Sequence, residues 1–340
     1  MVCFYDNAFS AYLLIICFSL LAVMNTASVF YPRLWTSFYP RLRNGLPRNG
    51  WVSDHFIVPT VMGALGWYSG LINGYGAMIF GLFAWCCALF HGSETVGGSF
   101  LNHNRMKNRA ITILPAMALF CIVTIFFGVL HHKFPGFFNV CALSCYKVSE
   151  HSVPHNMWFN FDRTFLALVL CMYAHRNTKH SESFYRKQGT VLWILTGFGA
   201  TVTGVAVYAL GIGYIEWDIK WPSILGLWSL NQIFFASFVE EVWFRGFLQG
   251  QIKQGFTRVF SPNIMGYRPH ILAASVIFGI DHAIKGGRVY GALAFLAGLF
   301  YGAVYDRTKS IQYAWAVHFL LNLLHLILFT YPASTGILSR

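Results

Sequence analysis

Residues 8–30 and 110–130 each run for more than twenty positions without one charged side chain. A helix rises 1.5 Å per residue, so about 20 apolar residues are what a bilayer core of about 30 Å demands. The runs are continuous instead of alternating every second residue, which excludes the strands of a membrane barrel. Composition agrees, because only 11% of the chain is charged, against about 25% in an ordinary soluble domain. The expected fold class is therefore all-α: a multi-pass transmembrane helical bundle of about 8–10 transmembrane helices. The expected location is integral to a membrane, a cell's inner membrane or an endomembrane.

The net charge of +12 raises nucleic acid as a partner, but the basic residues sit in short loops between apolar segments. Positive-inside topology explains that placement, and no nucleic-acid partner is expected. Of the 24 Lys and Arg, 16 fall in loops that this reading puts in the cytoplasm, seven fall on the outer side (Arg163 at the outer end of its span), and Arg245 lies within a span. Residues 1–10 lack the basic start of a signal peptide, so 8–30 reads as a retained first span. Residues 56–90 are too long for one crossing and read as a hairpin broken at Asn73-Gly74. Further spans are expected at 110–130, 157–174, 190–214, 223–250, 271–283, 289–305 and 311–331. Two regions follow: 1–222, with no assigned role, and 223–332, where the polar motifs gather. Most cysteines lie in apolar segments as small hydrophobes; Cys141 and Cys145 share one loop and could pair if it is oxidising.

Three polar motifs interrupt the apolar C-terminal region: Glu240-Glu241-Val242-Trp243-Phe244-Arg245, Phe278-Gly279-Ile280-Asp281-His282, and His318-Phe319-Leu320-Leu321-Asn322. An ionisable group at membrane depth costs roughly 2.5–3.5 kcal/mol even on lenient scales, so it needs a reason to be there. On a helix, Glu241 and Arg245 are four apart with the acid first, the favoured order for an ion pair. Glu240 is rotated by about 100° and left free to act as a base. His318 and Asn322 share a face and offer two donors to one developing negative charge. A carboxylate and an imidazole converging on one water, Glu240 and His282, would make a hydrolytic nucleophile. Taken singly each motif is weak, since Glu-Glu-x-x-x-Arg is common at helix ends and a lone histidine usually packs. His325 reads as structural, and Asp281 either orients His282 or caps its helix.

Together, and in this order, the motifs resemble the CAAX prenyl protease and bacteriocin-processing family of intramembrane proteases. The flanks Phe244-Arg245-Gly246-Phe247-Leu248-Gln249, Gly298-Leu299-Phe300-Tyr301-Gly302 and Asp306-Arg307-Thr308-Lys309-Ser310 are similar too. The resemblance spans about residues 225–330 and implies an endopeptidase acting on a membrane-associated or lipid-anchored protein or peptide within the lipid bilayer. It implies Glu240 as base with His282, His318 and Asn322 as the oxyanion donors, and Glu241 and Arg245 as the pair that holds the first helix. The expected mechanism is glutamic, without a cofactor; under a zinc-dependent scheme Glu240, His282 and His318 would be the ligands. No His-Glu-x-x-His occurs in the chain, which removes the usual zinc-helix signature. The competing reading is a non-proteolytic membrane protein on the same scaffold, an immunity-type binder or a transporter.

Overall fold

The computed structural model describes residues 53–100, 109–174, 190–261, 264 and 266–336, so the expected span at 8–30 lies outside the described residues. The described chain divides into two compact units. One comprises residues up to 140 and 159–174; the other comprises 141–158 and everything from 190 onward.

The first unit holds α1 (Ser53–Tyr68), α2 (Gly74–Phe100), α3 (Arg109–Leu130) and α4 (Phe161–Ala174). The chain breaks between α1 and α2 where Asn73 was expected to break it. The Asn73 Oδ1 accepts the backbone N–H groups of Tyr75 at 3.0 Å and Gly76 at 3.3 Å, capping the next helix. The expected span at 157–174 needs correction. Its first residues form a strand, so the helix starts only at Phe161, and within the described residues α4 runs for 14. Phe165, Leu166, Ala167, Leu168 and Val169 are all essentially inaccessible. A helix apolar all round belongs inside a core, and α4 is the centre of this unit.

The second unit opens with a two-stranded sheet, β1 (Val140–Tyr146) and β2 (His155–Phe159). Neither segment alternates cleanly between apolar and polar residues, so the all-helical expectation did not anticipate them. They also settle the cysteine question. Cys141 and Cys145 lie four residues apart on one strand, about 13 Å, beyond the roughly 7 Å Cα separation that a disulfide tolerates.

Three helical runs follow that are long and apolar enough to cross a membrane: α5 (Thr190–Gly211), α7 (Pro269–Thr308) and α8 (Ile311–Leu328). Between α5 and α7 lies α6, residues 225–259. It alternates α-helical Leu225–Asn231, Ser237–Glu241 and Gly250–Val259 with π-helical Gln232–Ala236 and Val242–Gln249. The wider π turns, bonded i to i+5, recur at functional sites.

α7 is 40 residues long but not straight, because Gly286 and Gly287 leave helical geometry, Gly287 with φ 87°. Only glycine adopts that φ cheaply, and the chain folds back there. Ile271 therefore meets Gly302, Ser275 and Phe278 meet Gly298, and Ala283 meets Gly291; in a straight helix residues 271 and 302 would stand about 46 Å apart. α7 is two antiparallel arms, matching the separate spans expected at 271–283 and 289–305.

Candidate active site

Along α6, Glu241, Arg245, Gln249 and Lys253 recur every four residues. Their partners on the second arm of α7 recur every four as well. The Arg245 Nη2 donates to the Gly298 carbonyl at 3.4 Å, and the Gln249 Nε2 donates to the Gly302 carbonyl at 3.0 Å. The Lys253 Nζ donates to Asp306 Oδ1 at 2.9 Å. A constant offset of 53 residues means the two helices run parallel in one register. Small residues let backbones approach closely in membrane helices, and here they also expose the carbonyls that Arg245 and Gln249 need.

The ladder fixes Glu241 at its top. Its Oε2 lies 3.3 Å from Arg245 Nε, and both side chains are almost wholly buried. The guanidinium stacks 4.4 Å from the Phe278 ring centroid and 5.4 Å from that of Tyr301, a desolvated cation–π arrangement. The other carboxylate oxygen, Oε1, accepts a hydrogen bond from His318 Nδ1 at 2.8 Å. Glu241 is thus held on both sides.

Glu240 points elsewhere, as its position on the helix requires. Its Oε2 lies 3.6 Å from His282 Nε2 and 3.8 Å from His318 Nε2. The His282 Nδ1 donates to the Phe278 carbonyl at 2.9 Å, which turns Nε2 toward Glu240. Asp281 is engaged instead by Lys285, at 2.5 Å, and lies 3.8 Å from His282. The sharp bend at Gly286-Gly287 places His282 at the end of a short helical arm, level with Glu240. The six residues singled out from the sequence thus converge, with one difference of detail. His318 and Asn322 were expected to offer both donors to a substrate, yet His318 already serves Glu241. Asn322 also donates one N–H to Gln232 Oε1, at 3.0 Å, leaving its second amide hydrogen.

Sequence reasoning missed four neighbours. Tyr301 stacks on His318 at 4.5 Å, and Tyr290 lies 5.1 Å from His282. Gln232 holds Asn322, and Lys285 holds Asp281. Tyr301 lay within a flank that carried the resemblance, and Gln232 is a polar residue beside Asn231, two turns before Glu240; both were visible without being weighed.

Glu240, His282, His318 and Asn322 line one cavity of about 510 Å³. Val205 and Ala209 of α5 wall it on one side, and His155, His325 and Tyr331 close its far end. Burial lowers the pKa of the His155 imidazole below its ordinary value. That end is tied down by the loop after α5: the Thr330 N–H donates to the Glu216 carbonyl at 3.0 Å, and the Asp218 N–H to that of Leu328 at 2.9 Å. The His325 Nε2–H donates to the Thr330 carbonyl oxygen of this same segment at 3.2 Å. Among the described residues, no group of three or more His, Cys, Asp or Glu side chains is arranged to hold a metal ion.

Residues 221–324 match the family model described as type II CAAX prenyl endopeptidase Rce1-like. Neither the curated proteins nor the solved structures contain a match to the chain. The matched segment holds all three motifs. Over residues 221–324 this integral membrane chain is therefore similar to the type II CAAX prenyl endopeptidase Rce1-like family.

Proposed function

We propose that residues 223–332 form the protease core, cleaving a peptide bond of a membrane-associated or lipid-anchored protein by a glutamic mechanism. The observation that carries this reading is the convergence of His282 Nε2 and His318 Nε2 on one oxygen of Glu240, at 3.6 and 3.8 Å. The hydrogen bonds place a hydrogen on Nδ1 of both rings. His282 gives its Nδ1–H to a carbonyl, so its neutral ring presents a bare Nε2. A water placed between Glu240 and His282 gives one hydrogen to each and turns a lone pair outward. As that oxygen attacks the substrate carbonyl, Glu240 takes the proton, and it later returns it to the departing nitrogen.

His318 plays the opposite part. Its Nδ1–H is committed to Glu241, so it can donate to an oxyanion only when Nε2 carries hydrogen as well. The second amide hydrogen of Asn322 completes the oxyanion site. If a metal were used, Glu240, His282 and His318 would be its ligands and a metal-bound water would be the nucleophile's source; the side chains alone suffice for the scheme proposed.

The test replaces the chain by Glu240→Gln in its native membrane and compares the lengths of membrane-anchored proteins by mass spectrometry. One or more should lengthen in the variant while the variant remains inserted at wild-type abundance. Unchanged lengths throughout would sink the protease reading in favour of a binder or transporter.

A further inference from the structure

Arg268 immediately precedes α7 and Lys309 immediately follows it. Because α7 folds back on itself, its two ends emerge together. The parallel ladder with α6 delivers Lys253 to the same place. All three cations meet one carboxylate: Asp306 Oδ1 lies 2.9 Å from Lys253 Nζ and 2.5 Å from Lys309 Nζ, and Oδ2 lies 3.6 Å from Arg268 Nε. His270 Nε2 approaches Oδ1 as well, at 3.3 Å. The Asp306 side chain is 10% exposed, whereas the three cations are 41–49% exposed. Asp306 therefore gathers them from beneath and neutralises one charge of three.

We propose that this cluster binds the anionic phosphate headgroup of a phospholipid. A carboxylate accepts about four hydrogen bonds, while two ammonium groups and a guanidinium carry about eleven donors. The surplus faces outward. Phosphate oxygens match it in charge and in number, the guanidinium fork suiting them especially. A lipid is favoured over a soluble anion by what lies beside the cations. Val259, Phe260, Ile264 and Tyr267 are exposed there, Tyr267 at 89%. Apolar and aromatic side chains next to basic ones are the composition of a segment lying in the headgroup region. The position agrees, since the cluster marks where α7 ends and α8 begins, and both are apolar enough to cross a membrane. The inference is independent of the proteolytic reading.

The full chain is reconstituted in nanodiscs of phosphatidylcholine alone or with phosphatidylglycerol. Native mass spectrometry reads the retained lipid, and acetylation rates are read at Lys253, Lys309 and, as a remote control, Lys147. Wild type should retain about one phosphatidylglycerol, which should slow acetylation of Lys253 and Lys309 about fivefold or more but leave Lys147 unchanged. The Arg268→Gln/Lys309→Gln variant should lose the retention about tenfold, and Arg268→Lys/Lys309→Arg should keep most of it. Equal retention of the two lipids, equal protection at Lys147, or undiminished retention by a folded Gln variant would overturn the proposal. So would equal protection by millimolar inorganic phosphate in neutral lipid, which would mark a site for a free anion. Should the Gln variant fail to fold, the acetylation pattern of wild type decides alone.

Discussion

Glu240 and Glu241 are neighbours in the chain and opposites in the structure. Glu241 is fully buried, fixed by Arg245 on one side and His318 on the other. Glu240 opens into the cavity and faces two imidazole nitrogens, neither within ordinary hydrogen-bond distance. One residue of helix rotation separates a carboxylate whose charge is spent from one whose charge is available. A buried ion pair is a poor source of net stability, but losing one partner leaves the other stranded. So the closed side of the site pays in desolvation for a rigid frame, and the open side keeps the reactive oxygen loose enough to exchange protons.

The comparison is broken most forcefully at Glu240. Glu240→Gln should lower turnover by about 10²–10⁴-fold, the range for a lost general base, with thermal unfolding in the same lipid unchanged. Glu241→Gln should do the reverse in emphasis: it leaves Arg245 without a counter-charge and should cost roughly 3–5 kcal/mol of stability, seen as early unfolding, with activity falling as a consequence. If the stability loss followed Glu240 instead, the two roles would have to be exchanged.

A smaller effect tests how the frame supports the open side. An added Cβ at Gly291 would meet the Gly279 carbonyl oxygen at 2.7 Å and Ala283 Cβ at 2.6 Å. Gly291→Ala should push the two arms of α7 apart at a cost of about 1–3 kcal/mol. It should also move His282 away from Glu240, so kcat should fall more than KM rises. Wild-type kcat with lowered stability would show that the arms' spacing does not set the site. The smallest expected effect is none at all: exhaustive chelation should leave the rate of the purified enzyme unchanged. Activity lost to a chelator and restored by stoichiometric zinc would replace the side-chain scheme with a metal-assisted one on the same residues.

Much of this was legible in the sequence because membrane segments leave so few polar residues to interpret. The four-residue spacing of Glu241 and Arg245 announced their pairing, and the two expected spans at 271–283 and 289–305 separated the arms of α7 before their fold-back could be seen. Other features depend on contacts that no local pattern encodes. The π turns at Gln232–Ala236 and Val242–Gln249 have no periodicity of their own. Tyr301 on His318 and Gln232 on Asn322 join residues 17 and 90 positions apart. α4 was expected to start at 157 because the residues of β2 are as apolar as those of the helix; the strand ending at Phe159 delays the helix to Phe161.

The constant offset of 53 between α6 and α7 has a further consequence for assembly. Slid by one helical turn, Arg245 would find the Gly302 carbonyl in place of that of Gly298, an equally good acceptor, and the apolar surfaces would still be covered. Two of the three rungs are thus blind to such a slip. Lys253 is not, because one turn away from Asp306 it would have no carboxylate to meet. The outermost pair of the ladder, some 18 Å along the helix from Glu241, is what tells the newly inserted helices when they have stopped in the right place.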